Sequence, residues 1–337
     1  MGRLTEKARV TKVRLEDGSD GSVSVDTRAD TLAVEEPLQI RVDGTDLTTT
    51  MRTPGHDIEL VHGLLHAEGV ITSRADISEA RYCAGAVGPL GENTYNTLDV
   101  SLRDQAGFSV ADIGVHPSTA TCGVPASPDS PQPVQPVQPV QPPAGDSCPS
   151  LPVGAGSLPG VELPIRNLVT NSACGVCGTT SIDDLMKEKR YTLTPVHPTP
   201  ELVVSLPRQF SSGQKAFRKT GGVHAAGAFT ADGRPLVIRE DVGRHNAADK
   251  VIGALLLENR LPGDVPEDDP DKATYLVMSS RASFELVQKA VLAGFSGLVA
   301  VSAATSLAVA MAKESGLLLT GFTRDDRFNL YSGELAS

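Results

Sequence analysis

The stretch between residues 225 and 320 most constrains the fold, because short apolar runs alternate there with longer runs of helical period. Strand-like runs at 225–229 and 235–239 flank the turn Asp232-Gly233 and lead into a helix over 247–257. Strand 275–278, helix 283–293, strand 298–301, helix 306–314 and strand 317–320 follow. A parallel neighbour is reached only through a crossover, so this alternation predicts βαβ units and a mainly parallel sheet. The fold class is α/β. Right-handed crossovers then gather the carboxyl ends of the parallel strands on one edge, where open α/β sheets take ligands.

That edge is polar in an unusual way. The strands are followed by Asp241-Val242-Gly243-Arg244-His245-Asn246, by Ser279-Ser280-Arg281-Ala282-Ser283, by Ser302-Ala303-Ala304-Thr305-Ser306, and by Gly321-Phe322-Thr323-Arg324-Asp325-Asp326-Arg327. One hydroxyl-rich loop is ordinary helix capping. Four of them, with Arg244, Arg281, Arg324 and Arg327, point to an anionic ligand of nucleotide size held by backbone N–H groups and guanidinium groups. No GxxxxGK[ST] loop is present, so phosphoryl transfer from ATP is not expected. His245 lies four residues after Asp241 and four before Asp249, a spacing that aligns them if a helix starts early enough. His224 follows Gly221-Gly222, where a helix is expected to end and a strand to begin. Both histidines are candidate ligand-binding residues, and a structural role explains each equally well.

The first half reads as a smaller, β-rich part. Residues 37–53 alternate apolar and polar side chains around Asp43-Gly44, the signature of a hairpin, and 94–102 resemble a further strand. Between them, residues 57–70 place Ile58, Val61, Leu64 and Leu65 on one stripe behind Thr53-Pro54-Gly55, which predicts a helix. From 125 to 164 the composition turns to the three-residue repeat QPVQPVQPVQPP and then to LPVGAGSLPG, rich in glycine and proline, a solvated insert rather than a packed element. The expected organisation is a tail and first strand over 1–29, an α+β part over 30–124, the insert over 125–164, and an α/β part over 165–335.

A net charge of −11 opposes loose binding to nucleic acid or to anionic membranes. The first dozen residues carry no apolar signal core, and the most apolar run, 297–312, is too short to cross a bilayer. The five cysteines, Cys83, Cys122, Cys148, Cys174 and Cys177, are too sparse for a disulfide framework. These features lead to the expectation of a cytoplasmic protein.

Cys174 and Cys177 form a CxxC pair flanked by Gly175 and Gly178. A structural zinc would need a second pair, which the sequence lacks. A zinc deaminase is a sharper version, since His66-Ala67-Glu68 precedes the pair as HxE precedes PCxxC, although Ala173 stands where proline is required and His66 falls in an amphipathic helix as a structural residue would. A redox dithiol would want the first thiol at a helix start directly after a strand. A sulfur carrier needs an accessible thiolate on a flexible loop, and the glycines supply the reach. By residue type alone these readings stay open.

Several segments together resemble the FdhD family of formate dehydrogenase accessory sulfurtransferases: Arg52-Thr53-Pro54-Gly55, Cys174-Gly-Val-Cys177-Gly178, Thr220-Gly-Gly-Val-His224-Ala-Ala226, Arg239-Glu-Asp-Val-Gly-Arg-His-Asn-Ala-Ala-Asp-Lys250, Ser279-Ser-Arg-Ala-Ser-Phe-Glu285 and Gly321-Phe-Thr-Arg324 with Arg327-Phe-Asn-Leu-Tyr331. The resemblance implies a cytidine-deaminase-like mixed sheet, a homodimer, and sulfur passed from a cysteine desulfurase to the molybdenum or tungsten bis-guanine-dinucleotide cofactor that formate dehydrogenase requires. It implies that Cys174 carries the persulfide with Cys177 as its partner. It also implies that Phe322, Thr323, Arg324, Asp325, Asp326 and Arg327 bind the cofactor, with aspartates accepting from guanine N–H groups. No structural metal is expected, and a zinc-dependent deaminase-like hydrolase built on Cys174 and Cys177 is the alternative.

Overall fold

A computed structural model describes residues 4–15, 23–83, 95–103 and 190–336. The expected insert, the boundary at residue 124, and Cys122, Cys148, Cys174 and Cys177 lie outside the described residues.

The C-terminal half builds a six-stranded sheet. Its elements are α2 (Pro200–Gly213), α3 (Lys215–Thr220), β7 (His224–Thr230), β8 (Pro235–Asp241), α4 (Arg244–Leu257), β9 (Ala273–Met278), α5 (Phe284–Ala293), β10 (Gly297–Ala300), α6 (Ser306–Ser315), β11 (Leu318–Arg324) and β12 (Arg327–Ser332). The strand order is β12-β11-β10-β9-β7-β8. Strands β9, β10 and β11 are mutually parallel, as the alternation predicts. The sheet is mixed rather than mainly parallel, because β7 runs antiparallel to both β8 and β9, and β12 folds back on β11. Two reversals in β7 restore the direction of β8. The carboxyl ends of β8, β9, β10 and β11 therefore share one edge, and β7 begins on it.

Sequence reasoning missed α2. Thr199 caps it, accepting from Leu202 N at 3.3 Å, and Pro200 occupies the first turn. Pro207 sits inside the helix, where it removes a backbone donor, so the pattern does not advertise a helix of this length. Leu206 and Phe210 of α2 seal one face of the sheet against Ala225, Phe229, Tyr275, Val277, Val299 and Leu318.

The opposite face joins a core shared with the first half. There the elements are β1 (Thr5–Leu15), β2 (Val23–Ala33), β3 (Glu36–Val42), β4 (Thr45–Arg52), α1 (Asp57–Ala67), β5 (Ile77–Tyr82) and β6 (Thr97–Leu102). Strands β4-β3-β6-β5 form a second sheet, and its inward residues Leu38, Ile40, Leu98 and Val100 belong to the same apolar cluster as Ala226, Leu276, Leu298 and Leu319. Asp43 and Gly44 both take positive φ, 47° and 78°, which suits the two-residue hairpin turn read from the sequence. Strand β2 runs across the expected boundary at residue 30. The chain start thus forms a two-stranded ribbon with 11 residue pairs from Thr5↔Ala33 to Leu15↔Val23.

Helices α1 and α4 approach unusually closely. A Cβ on Gly63 would lie 1.9 Å from the Asp249 carbonyl oxygen, and one on Gly253 would lie 1.8 Å from that of Glu59. Only glycine fits at either point.

Candidate functional site

Buried ionic contacts fix the strand edge, and they come mainly from residues 239–250. Arg239 clamps Glu59 of α1 through Nε at 2.5 Å and Nη2 at 2.8 Å. Burial raises the Glu59 carboxyl, but the bonds from Arg239 and His56 outweigh it and bring the pKa down to about 2. Glu240 accepts from the first backbone N–H groups of α3, Ala216 N and Phe217 N, both at 2.8 Å. Asp241 is completely buried. Its carboxylate meets Lys250 Nζ at 2.6 Å and accepts from Thr53 N at 3.1 Å, Gly243 N at 2.8 Å and Asn246 Nδ2 at 3.1 Å. Asn246 also donates to Met51 O, and Lys250 donates to Thr53 O at 2.9 Å. The motif is largely a clamp that docks the first half onto the strand edge.

A cavity of about 840 Å³ opens beside that clamp, within the size range of small-molecule sites. Its floor is the strand edge, with His224, Val242, Ser279 and Val301. One wall comes from α3 and the turn after it, with Phe217, Gly221, Gly222 and Val223. Arg208 of α2 and Thr323, Arg324 and Asp325 of the β11–β12 hairpin line it as well. Arg208 Nε lies 3.7 Å from Asp325 Oδ1, an ion pair between two of the lining residues.

Of the residues singled out from sequence, His224, Thr323, Arg324 and Asp325 line this cavity. Arg244, His245, Arg281, Phe322, Asp326 and Arg327 stand on loops or strand ends of the same edge without lining it. Phe322 has a positive φ of 52° at a bulge and stays 42% exposed, a strained conformation for an aromatic residue. Arg244 Nε is buried without a hydrogen-bond partner. His224 Nδ1 lies 3.5 Å from Ser279 Oγ, and burial, with Arg244 and His245 nearby, pushes its pKa down. His245 does not align with Asp241, which ends β8 before α4 begins. Instead its Nε2 lies 3.6 Å from Glu285 Oε2, and this contact holds the Glu285 carboxyl down to about 2. Asp249 pairs with Lys289 at 2.7 Å in the interior.

His66, the histidine of the HxE echo, is 3% exposed on α1 with neither ring nitrogen hydrogen-bonded. Burial, then Arg190 and Lys289, push its pKa down to about 4. Two neighbouring cations oppose a zinc ion at this ring. Among the described residues no group of three or more His, Cys, Asp or Glu is placed to hold a metal.

Arg208 and Phe217 were not found from sequence as cavity residues. The cap Thr199-Pro200 followed by Leu202, Val203, Leu206 and Phe210 was the available signal.

Comparison with known proteins fits this architecture. The FdhD/NarQ family model matches residues 33–140 and 161–336, so the interruption is shorter than the expected insert at 125–164. A Corynebacterium efficiens protein named sulfur carrier protein FdhD is 50% identical over 335 residues, covering 99% of this chain and 100% of the relative. A protein of the same name from Nocardia farcinica is 43% identical, covering 98% of this chain and 94% of the relative. The fold matches a crystal structure from Desulfotalea psychrophila, described as a formate dehydrogenase accessory protein, with a TM-score of 0.59 at 18% identity and 98% coverage of both chains. With the family model and full-length relatives in agreement, this chain belongs to the FdhD/NarQ family.

Proposed function

We propose that this chain is a sulfur carrier that serves formate dehydrogenase. Cys174 thiolate attacks the terminal sulfur of a cysteine desulfurase persulfide, forming a Cys174 persulfide and releasing the donor's thiolate. Cys177 thiolate then attacks the Cys174 sulfur and expels the terminal sulfur as hydrosulfide to the molybdenum or tungsten bis-guanine-dinucleotide, the acceptor substrate. The two-electron reduction of that sulfur leaves a Cys174–Cys177 disulfide, which a cellular dithiol reopens.

The observation that carries the reading is the cavity of about 840 Å³, which Arg208 and Arg324 line in a chain of net charge −11. Cys177 precedes Arg190 by about 13 residues, a tether that spans at most about 45 Å. Arg190 stands near Gly294 and Ser296 at the far edge of the sheet, and the 14 residues of α2 cover roughly 21 Å of the way back.

Incubation with a cysteine desulfurase and cysteine is expected to add one sulfur atom to the intact mass of the wild type and none to Cys174→Ala; an undiminished adduct in the variant refutes the carrier role. GDP serves as a fragment of the acceptor. Arg324→Ala is expected to weaken GDP at least tenfold, since a charge-assisted contact is worth roughly 1.5–3 kcal/mol. Equal binding would displace the site from this cavity.

The chain works as a homodimer in this reading, and the β1–β2 ribbon supports it. Val13, Leu15, Val23 and Val25 lie on one face near its end and are all more than half exposed. A lone two-stranded ribbon is marginal in water. Its Lys7, Arg9, Lys12, Arg14 and Arg28 outnumber Glu6, Asp26 and Asp30, so it complements the acidic remainder of a second copy. Light scattering is expected to give twice the chain mass of 35.2 kDa, and Val13→Asp with Val25→Asp is expected to return the monomer. A monomeric wild type rules the dimer out.

A further inference from the structure

We propose that Phe217 is the platform on which the base of the bound nucleotide lies. The inference rests on the reading of the cavity as a nucleotide site and adds the direction in which the nucleotide enters it.

Phe217 is 45% exposed although it lines a cavity, whereas Phe210 beside it is fully packed into the α2 interface. Its exposure is not a sign of a loose helix. Both carboxylate oxygens of Glu240 hold the start of α3, at Ala216 N and Phe217 N. Thr220 Oγ1 donates to Ala216 O at 2.9 Å near the other end, and Gly221 closes the helix with a φ of 66°. The backbone that carries the ring is thus fixed before any ligand arrives, which lowers the ordering cost of binding.

The lining differs in chemistry along the cavity. Phe217 is followed there by Gly221 and Gly222, which carry neither side chain nor charge. Arg208 and Arg324 line the same cavity from α2 and the β11–β12 hairpin. A ligand that is flat and apolar at one end and anionic at the other matches this lining with its base at Phe217 and its phosphates at the arginines. Arg208 is already paired with Asp325 at 3.7 Å. Stacking is then the main contact to the base. Because every base has a π-face, the ring adds affinity without choosing between purines.

Four ligands separate the possibilities: GDP, ADP, pyrophosphate as the anion without a base, and guanosine as the base without the anion. Phe217→Leu is expected to weaken GDP and ADP by the same factor, about tenfold, and to leave pyrophosphate unchanged. Phe217→Trp restores or exceeds wild-type affinity. The H8 proton of GDP moves upfield on binding the wild type, by the ring current of Phe217, and that shift disappears with Phe217→Leu. Equal loss of GDP and pyrophosphate in Phe217→Leu makes the ring a structural support and overturns the proposal. Unchanged GDP affinity overturns it too, while a weakened Arg324→Ala leaves the nucleotide site standing. No binding of GDP or guanosine to the wild type removes the site and the platform together.

Discussion

Gly253→Ala is expected to lower the thermal midpoint by about 4 °C, although helix propensity alone predicts the opposite. Alanine gains roughly 1 kcal/mol over glycine inside a helix. Here the added carbon would stand 1.8 Å from the Glu59 carbonyl oxygen and 2.9 Å from Gly63 N, both backbone atoms that cannot rotate aside. Helices α1 and α4 must part by more than an ångström, which loosens the Arg239–Glu59 clamp. Overpacking costs 1–3 kcal/mol when side chains can give way. With backbone on backbone the cost lies above the top of that range, at about 4 kcal/mol, so the net loss after the propensity gain is about 3 kcal/mol, or about 4 °C in a chain of 337 residues. Gly213→Ala is the control: its added carbon meets only the side chain of Ile238, and its loss should stay under about 1 kcal/mol. A Gly253→Ala protein that melts at or above the wild type would mean that the helices do not approach as described.

Lys250→Met is expected to cost about 3–5 kcal/mol, the usual effect of stranding one charge of a buried pair. Lys250 is 1% exposed and Asp241 0%. Burial pushes the Asp241 carboxyl up, and Lys250 is the first group that opposes the shift. Without the ammonium group the folded-state pKa rises well above the unfolded value near 4. A group whose folded pKa is raised contributes stability that is present below the unfolded pKa and lost as pH climbs through the folded one. The deficit of Lys250→Met should therefore be larger at pH 7 than at pH 5, and Asp241→Asn with Lys250→Met should lose that slope. Chemical denaturation at the two pH values reads both. Equal deficits at pH 5 and pH 7 would show that Asp241 is not the group left uncompensated.

The βαβ alternation made the parallel strands β9, β10 and β11 legible, because apolar runs separated by helical periods have few other solutions. The polar edge was legible for the same reason: once strand directions are set, the loops after β8, β9, β10 and β11 share a side. Helix α2 was not, since Pro207 breaks the helical pattern, whereas the glycine pair that ends α3 before β7 was. The role of residues 239–250 was half legible. Their polarity suggested ligand binding, yet Arg239, Glu240, Asp241, Asn246 and Lys250 spend most of their hydrogen bonds on the protein itself. Sequence shows which residues are polar but not whether a partner 180 residues away already satisfies them, as Glu59 does for Arg239. For His66 the spacing suggested a ligand, and its surroundings are those of a closed interior.

Residues from Leu38 to Val100 and from Leu193 to Leu319 contribute to a single apolar cluster. Neither half owns a complete interior, so expressing one alone should yield an insoluble product, while two separately synthesised pieces divided between residues 103 and 190 have matching surfaces through which to reassemble.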